Sequence, residues 1–300
     1  MPIRVGGAVG THGAEKHTGD VIPDADQDFG GYRLKGLKRM TSVPVAADIG
    51  TDGLVLYGVD SGKTVTAYGN AQIDTAQSKF GGASGLFDGA GDYLSLADSA
   101  DWYFGTGDFT IDFWVRFNAL PAAEAGLFWQ GTDSNNWMLF KVNYSAPNYR
   151  LDFAVKSGGN WIINTGYLNT NPNFATNTWY HIALVRNGNN FAIYQNGISL
   201  GSVTDTDAVP DYGGTFQIGW FGDAGYMFNG WLDEFRVSKG VARWTSNFTP
   251  PTAPYERDAY TVLLLHMDGT DGSQTFIDSS VITGRLYVNI DGVVKYVELT

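Results

Sequence analysis

The stretch "DFTIDFWVRF" (Asp108 to Phe117) alternates strictly along its length. Phe109, Ile111, Phe113, Val115 and Phe117 fall on one side, and Thr110, Asp112, Trp114 and Arg116 on the other. A period of two is that of a β-strand with one face turned to a core. The pattern recurs in "WMLFKV", "RLDFAVK", "TFQIGWF" and "NGWLDEFRVS". In "NTWYHIALVRNGNNFAIYQNGISLG" the "NGNN" and the later Asn196-Gly197 supply hairpin turns between strands. So many short strands at regular spacing predict an all-β, antiparallel sandwich or barrel. Composition agrees: 39 glycines, 18 Phe, 16 Tyr and 9 Trp occur, while glutamate, a helix former, occurs only at positions 15, 124, 234, 256 and 298.

The ends read differently. Residues 1-52 are rich in Gly, Asp, Thr and charge and lack apolar periodicity, which predicts an extended N-terminal arm or attachment segment. "GLVLYGVDSGKTVTAYG", residues 53-69, predicts a β-hairpin turning at Asp60, Ser61 and Gly62 that leads into the sandwich at residues 70-255. The remainder, 256-300, holds a C-terminal strand, "TVLLL" (Thr261 to Leu265), and a terminal hairpin turning at Asp291-Gly292. So apolar a strand needs cover on both faces. It can fill a slot in its own sandwich, enter a neighbouring subunit, or be the stump of a second repeat. The stump would leave three leucines bare and ranks last, and the same-chain slot ranks first.

Three separated segments, "LFDGAGDYLSLADSADWYFGTGDFTIDFWVRF" (Leu86 to Phe117), "NTWYHIALVRNGNNFAIYQNG" (Asn177 to Gly197) and "FNGWLDEFRVSKGVARWTSNF" (Phe228 to Phe248), resemble the laminin-G-like group of concanavalin A-like jelly rolls over roughly residues 62 to 255. The flanking "KTVTAYGNAQIDTAQSKFGGAS" and "VARWTSNFTPPTAPY" are similar to domains of bacteriophage virion proteins. In those proteins a segment like "LLLHMDGTDGSQTFIDSS" directly precedes one like "GKTVTAYGNAQ"; here it follows the domain, as a circular rearrangement would place it. The resemblance implies a virion appendage such as a tail fibre, homo-oligomeric and trimeric as such fibres are, contacting other virion proteins and a host-surface glycan. A purely structural virion component, a head decoration or baseplate subunit, is the alternative. The resemblance also implies a structural calcium ion, held by Asp233 of "LDEFRV" with carbonyls near Asp88 and Gly89.

Charge and motifs exclude other classes. A net charge of −12 repels nucleic acid. No apolar run of eighteen residues occurs, so membrane insertion is not expected, and the N-terminus lacks the apolar core of a secretory signal. With no cysteine there is no disulfide framework. Glucanases of this fold carry ExDxxE on one strand, which is absent; the adjacent Asp233 and Glu234 are expected on opposite faces. His12 and His17 lie in the arm, and His181 and His266 inside apolar strands, where packing is the expected role. No GxSxG or Walker pattern occurs, so the chain is expected to be non-catalytic. Sugar recognition needs aromatic faces beside amides and carboxylates. Candidate residues of that kind are Asn136, Trp137, Tyr144, Trp161, Tyr167, Trp220, Asp223 and Tyr226.

Overall fold

The computed structural model describes residues 39–40, 54–57, 62–145, 148–165, 172–222, 226–281, 285–290 and 293–298. Tyr167, Asp223, His12, His17 and nearly all of the arm lie outside them. The strands are β1 (Arg39–Met40), β2 (Leu54–Tyr57), β3 (Val65–Tyr68), β4 (Gln72–Asp74), β5 (Ser84–Asp88), β6 (Tyr93–Leu96), β7 (Phe109–Phe117), β8 (Glu124–Asp133), β9 (Asn136–Ser145) and β10 (Asn148–Ser157). They continue as β11 (Asn160–Asn164), β12 (Trp179–Asn187), β13 (Asn190–Gln195), β14 (Ile198–Thr204), β15 (Phe216–Ile218), β16 (Asn229–Lys239), β17 (Thr261–Leu265), β18 (Arg285–Ile290) and β19 (Val293–Glu298). A 3-10 turn, Ala100–Trp102, has its Asp101 N–H capped by the Ser99 hydroxyl.

The chain divides into two units, one of residues 62–281 and one joining 1–61 to 282–300. In the second unit β1, β2, β18 and β19 form a four-stranded sheet, and β18 and β19 are a hairpin. The predicted hairpin over 53–69 does not form. β2 pairs with β18, Tyr57 opposite Arg285, whereas β3 pairs with β6, Val65 opposite Leu96. Both segments alternate as strands do, but alternation does not name a partner, and better-matched partners lie far along the chain.

The larger unit is an all-β antiparallel jelly-roll sandwich. One sheet has the order β11-β10-β9-β8-β15-β6-β3, the other β14-β13-β12-β7-β16-β5-β4. Inward residues of β7 meet those of the facing sheet: Phe113 lies 6.4 Å from Phe140 and Phe109 6.1 Å from Phe153, centroid to centroid, all fully buried. Each such ring contributes on the order of 1.5–3 kcal/mol through burial.

The leucine triplet finds its cover inside this sandwich. β16 pairs with β7 along one edge; along the other it pairs first with β5 over Asn229 to Leu232, then with β17 over Phe235 to Ser238. β5 and β17 thus lie end to end in one strand position. Leu263 and Leu265 enter the sandwich core, while Leu264 packs outside the sheet with Trp114 and Tyr255. The free edge of β17 is closed by residues 278–280 and Lys63: Leu264 N–H donates to Asp278 Oδ1, Ser279 N–H to Leu264 O, and Lys63 Nζ to Val262 O. Lys63 N–H also donates to Asp278 Oδ2 at 2.9 Å, and a Cβ on Gly62 would sit 2.3 Å from Asp278 O, so only glycine allows this approach. The segment ending at Ser280 therefore arrives in space where Gly62 to Tyr68 begins, which is the order in which the two sequences resemble their counterparts.

The two outer faces of the sandwich differ. Outside the eight-stranded sheet, the segment 241–258 runs over the polar alternates of β7, so Thr110, Asp112 and Trp114 are buried as deeply as their inward neighbours. His181 is buried in this layer among Trp114, Trp244, Phe248 and Tyr255. Outside the seven-stranded sheet the corresponding positions carry charged and amide groups, and there a depression forms.

Candidate functional site

β9 and β10 turn Met138, Phe140, Val142, Leu151, Phe153 and Val155 into the core. The residues between them, Lys141, Asn143, Arg150, Asp152 and Ala154, must therefore face outward. Register sets them in transverse rows: Arg150 opposite Asn143 opposite Glu124, then Asp152 opposite Lys141 opposite Gly126, then Asn164 opposite Ala154 opposite Leu139. Of these, Lys141, Asn143, Arg150, Asp152, Ala154 and Asn164, together with Trp161, line a trough of about 250 Å³.

Its polar groups are only partly occupied with one another. Lys141 Nζ pairs with Glu124 at 2.5 Å, and Asn143 Nδ2 donates to Asp152 Oδ2 at 3.2 Å. Asp152 is 6% exposed, and its Oδ1 has no hydrogen-bond partner among the described residues. Burial raises its carboxyl above the ordinary range, against the opposing pull of Asn143, Lys141 and Arg150. A buried carboxylate oxygen without a donor is costly, so a ligand hydroxyl that meets it once the side chain turns toward the trough that it lines would satisfy it.

One aromatic ring, Trp161, lines the trough, and a second aromatic group lies beside Lys141. Trp161 is 56% exposed and meets Trp137 edge to face at 5.1 Å, over the row in which Trp161 opposes Lys156 and Lys156 opposes Trp137. On the other side Lys141 Nζ lies 5.6 Å from the ring of Phe221, which stacks on Tyr226 at 4.7 Å. The position of this pair depends on Gly126: a Cβ there would sit 2.5 Å from the carbonyl carbon of Trp220, so glycine lets the 219–222 loop cross β8. Trp220 itself packs on Tyr93, which stacks on Tyr68, farther across the same sheet.

The sequence-selected residues thus separate. Trp161 lines the trough with Trp137 against it, Tyr226 stacks on Phe221 beside Lys141, and Trp220 belongs to a neighbouring row. Asn136 is engaged in a turn, donating to both Asp133 oxygens and accepting from Gly158 N–H, so its amide is not offered to a ligand. Tyr144 packs on Tyr149 toward the core side, because it follows Val142 by two residues. Lys141, Asn143, Arg150, Asp152 and Asn164 were not singled out from sequence, although the alternation of "WMLFKV" and "RLDFAVK" already turns most of them away from the core.

The acidic pair on β16 also departs from expectation. Asp233 and Glu234 lie on the same outer side of the sheet, because a bulge between Asp233 and Arg236, with Glu234 at φ 53°, inserts an extra residue against β7. Asp233 Oδ2 accepts Lys79 N–H at 2.7 Å and Phe80 N–H at 3.1 Å. Glu234 accepts Tyr255 N–H and holds His266 Nδ1 at 2.9 Å. Both carboxylates are fully buried and closed to a substrate. Of the groups implied to hold calcium, Asp233 Oδ2 faces two amide donors while its Oδ1 has no hydrogen-bond partner among the described residues, and the Asp88 carbonyl accepts from Asn229 Nδ2, four residues along β16 from Asp233.

Burial pushes the Asp233 carboxyl up to about 8, although both amides pull it down. The folded chain then keeps a proton that the unfolded chain releases near 3.8, so stability falls as pH rises between these values, by at most about 1.4 kcal/mol per pH unit. Hydrogen bonding to Glu234 raises the His266 pKa, and its stabilisation is likewise lost on the alkaline side. Asp233→Asn keeps an oxygen for Lys79 and Phe80 without the charge. Urea unfolding at pH 5 and pH 7.5 should show a smaller loss for this variant than for the parent; an unchanged loss would refute the assignment.

Among known proteins, the laminin-G-type family described as the concanavalin A-like lectin/glucanases superfamily matches residues 88–245, more than half of the chain. The chain belongs to this superfamily. Solved structures similar to this superfamily member include a putative carbohydrate-binding protein from Bacteroides ovatus, 18% identical over 79% of this chain and 60% of that one, with TM-score 0.47. Domain 4 of an extracellular arabinanase from Geobacillus stearothermophilus, solved in complex with arabinotriose, is 20% identical over 63% of this chain and 84% of that one, TM-score 0.43. Tailspike protein 2 of Escherichia coli O157:H7 bacteriophage CAB120 is 13% identical over 61% of this chain and 26% of that one, TM-score 0.42. No curated protein matches the chain. No helix among the described residues is long and apolar enough to cross a membrane.

Proposed function

We propose that this chain is a non-catalytic, lectin-like module of a bacteriophage virion appendage, such as a tail fibre, and that it attaches to host-surface glycans through the trough on the seven-stranded sheet. The observation that carries the reading is the pairing of a buried, donor-less carboxylate oxygen on Asp152 with the exposed ring of Trp161 at the same depression. An oligosaccharide presents both features such a site needs, the apolar C–H face of one ring for the indole and the hydroxyls of another for the polar floor. The virion setting is supported by the motifs that flank the domain and by the adjacency of Asp278 to Lys63, which restores in space the order seen in similar phage domains. Single glycan contacts are weak, so the appendage works as an oligomer, a trimer in the simplest fibre, anchored to other virion proteins.

Trp161→Ala removes a ring that is already mostly solvent-exposed, so folding should be unaffected while glycan affinity drops about tenfold, as the loss of one stacked aromatic contact predicts. Binding of purified chain to host-envelope saccharides on an array measures this. Failure of the parent chain to bind any of them would overturn the proposal.

A further inference from the structure

Arg150 and Asp152 sit two residues apart on the outward side of β10, so their Cα atoms are separated by about 7 Å along the strand. The guanidinium of Arg150 has no hydrogen-bond or ion-pair partner among the described residues. The carboxylate in its transverse row, Glu124, lies two strands away beyond Asn143 and is held by Lys141 at 2.5 Å. A planar fork of donors that acts on Asp152 only through its charge, next to an acceptor oxygen without a donor among the described residues, is a two-point site of opposite polarity. Arg150 suits a carboxylate, which it can engage bidentately; Asp152 Oδ1 suits a hydroxyl. Trp161 lies farther along, opposite Lys156, so the distance from the Arg150 row to the Trp161 row is about 20 Å. One sugar ring cannot cover that length.

On the reading that the trough binds glycans, we propose that its ligand is an acidic oligosaccharide lying along β10, with a uronate-type ring carboxylate on Arg150, a hydroxyl of the same ring on Asp152, and a following ring stacked on Trp161. The chain's net charge of −12 disfavours non-specific attraction of polyanions, so a preference for acidic sugars would report the local site.

The test uses the full chain and a panel of uronate-containing oligosaccharides, each paired with its neutral methyl ester, titrated by calorimetry. The expected result is at least tenfold tighter binding of the acid for one or more pairs. Arg150→Gln should erase that preference while keeping the weaker affinity for the ester, Arg150→Lys should retain part of it, and Trp161→Ala should weaken both forms. Thermal unfolding of each variant verifies that the fold is kept. Equal binding of acid and ester, still sensitive to Trp161→Ala, would overturn the acidic-sugar inference and leave glycan binding standing. A preference for the acid that survives Arg150→Gln would also overturn it. No binding of these or of neutral host saccharides would overturn both.

Discussion

Leu265→Ala is expected to lower the unfolding free energy by about 2–5 kcal/mol, the range for emptying a fully buried leucine site. Leu265 is fully buried, opposes Phe235 across the β16–β17 ladder, and lies in the central cluster. Its neighbours belong to two sheets held by many other contacts, so they cannot collapse into the space, and both a transfer and a cavity cost remain. In urea the midpoint should fall with an unchanged slope, because the surface exposed on unfolding is the same. Ile277→Ala serves as the control: Ile277 is 68% exposed, and its loss should change stability by no more than about 0.5 kcal/mol. A cost below about 1 kcal/mol would show that the strand does not complete this sandwich.

How far the sequence could be read follows from what each residue's neighbours decide. In β7 the odd positions alternate with the even ones because one side meets the facing sheet, and that signal survives in any single sequence. It says nothing about cover on the other side. Thr110, Asp112 and Trp114 look solvent-facing in the string, yet the 241–258 segment lies over them, a contact between residues more than a hundred positions apart. The same limit hid the bulge at Glu234, where one non-glycine residue at positive φ turns both carboxylates outward. The trough shows the reverse case. Lys141, Asn143, Arg150 and Asp152 could have been found from period two alone, since each lies between core residues of β9 or β10. Attention to aromatic residues in loops led instead to Asn136, engaged in its own turn, and Tyr144, turned toward the core. Only Trp161 and Trp137 came from both lines of reasoning.

The roofed face supports the second large prediction. Arg236 Nε donates to Asp112 Oδ1 at 3.0 Å and Nη2 to Oδ2 at 2.9 Å, and the guanidinium lies 4.1 Å from the ring of Tyr255. Burial by itself would raise the Asp112 carboxyl, but Arg236 and His181 outweigh it and hold the group below its ordinary 3.8. Asp112→Ala leaves a buried cation without its partner and is expected to cost about 3–5 kcal/mol. Removing both ends, Asp112→Leu with Arg236→Met, should recover most of that loss, because the penalty arises from the stranded charge rather than from any large net benefit of the pair. The pH dependence has a fixed sign. A carboxylate with a lowered folded pKa contributes stability above its unfolded value and loses it as pH falls through the folded one, so the parent chain should weaken on acidification below about pH 4. The double variant should lack that acid-sensitive component. Thermal melts of the three proteins at pH 3 and pH 6 decide the matter: if Asp112→Ala is no less stable than the double variant at pH 6, the ion pair is not what holds the 241–258 layer to the sheet.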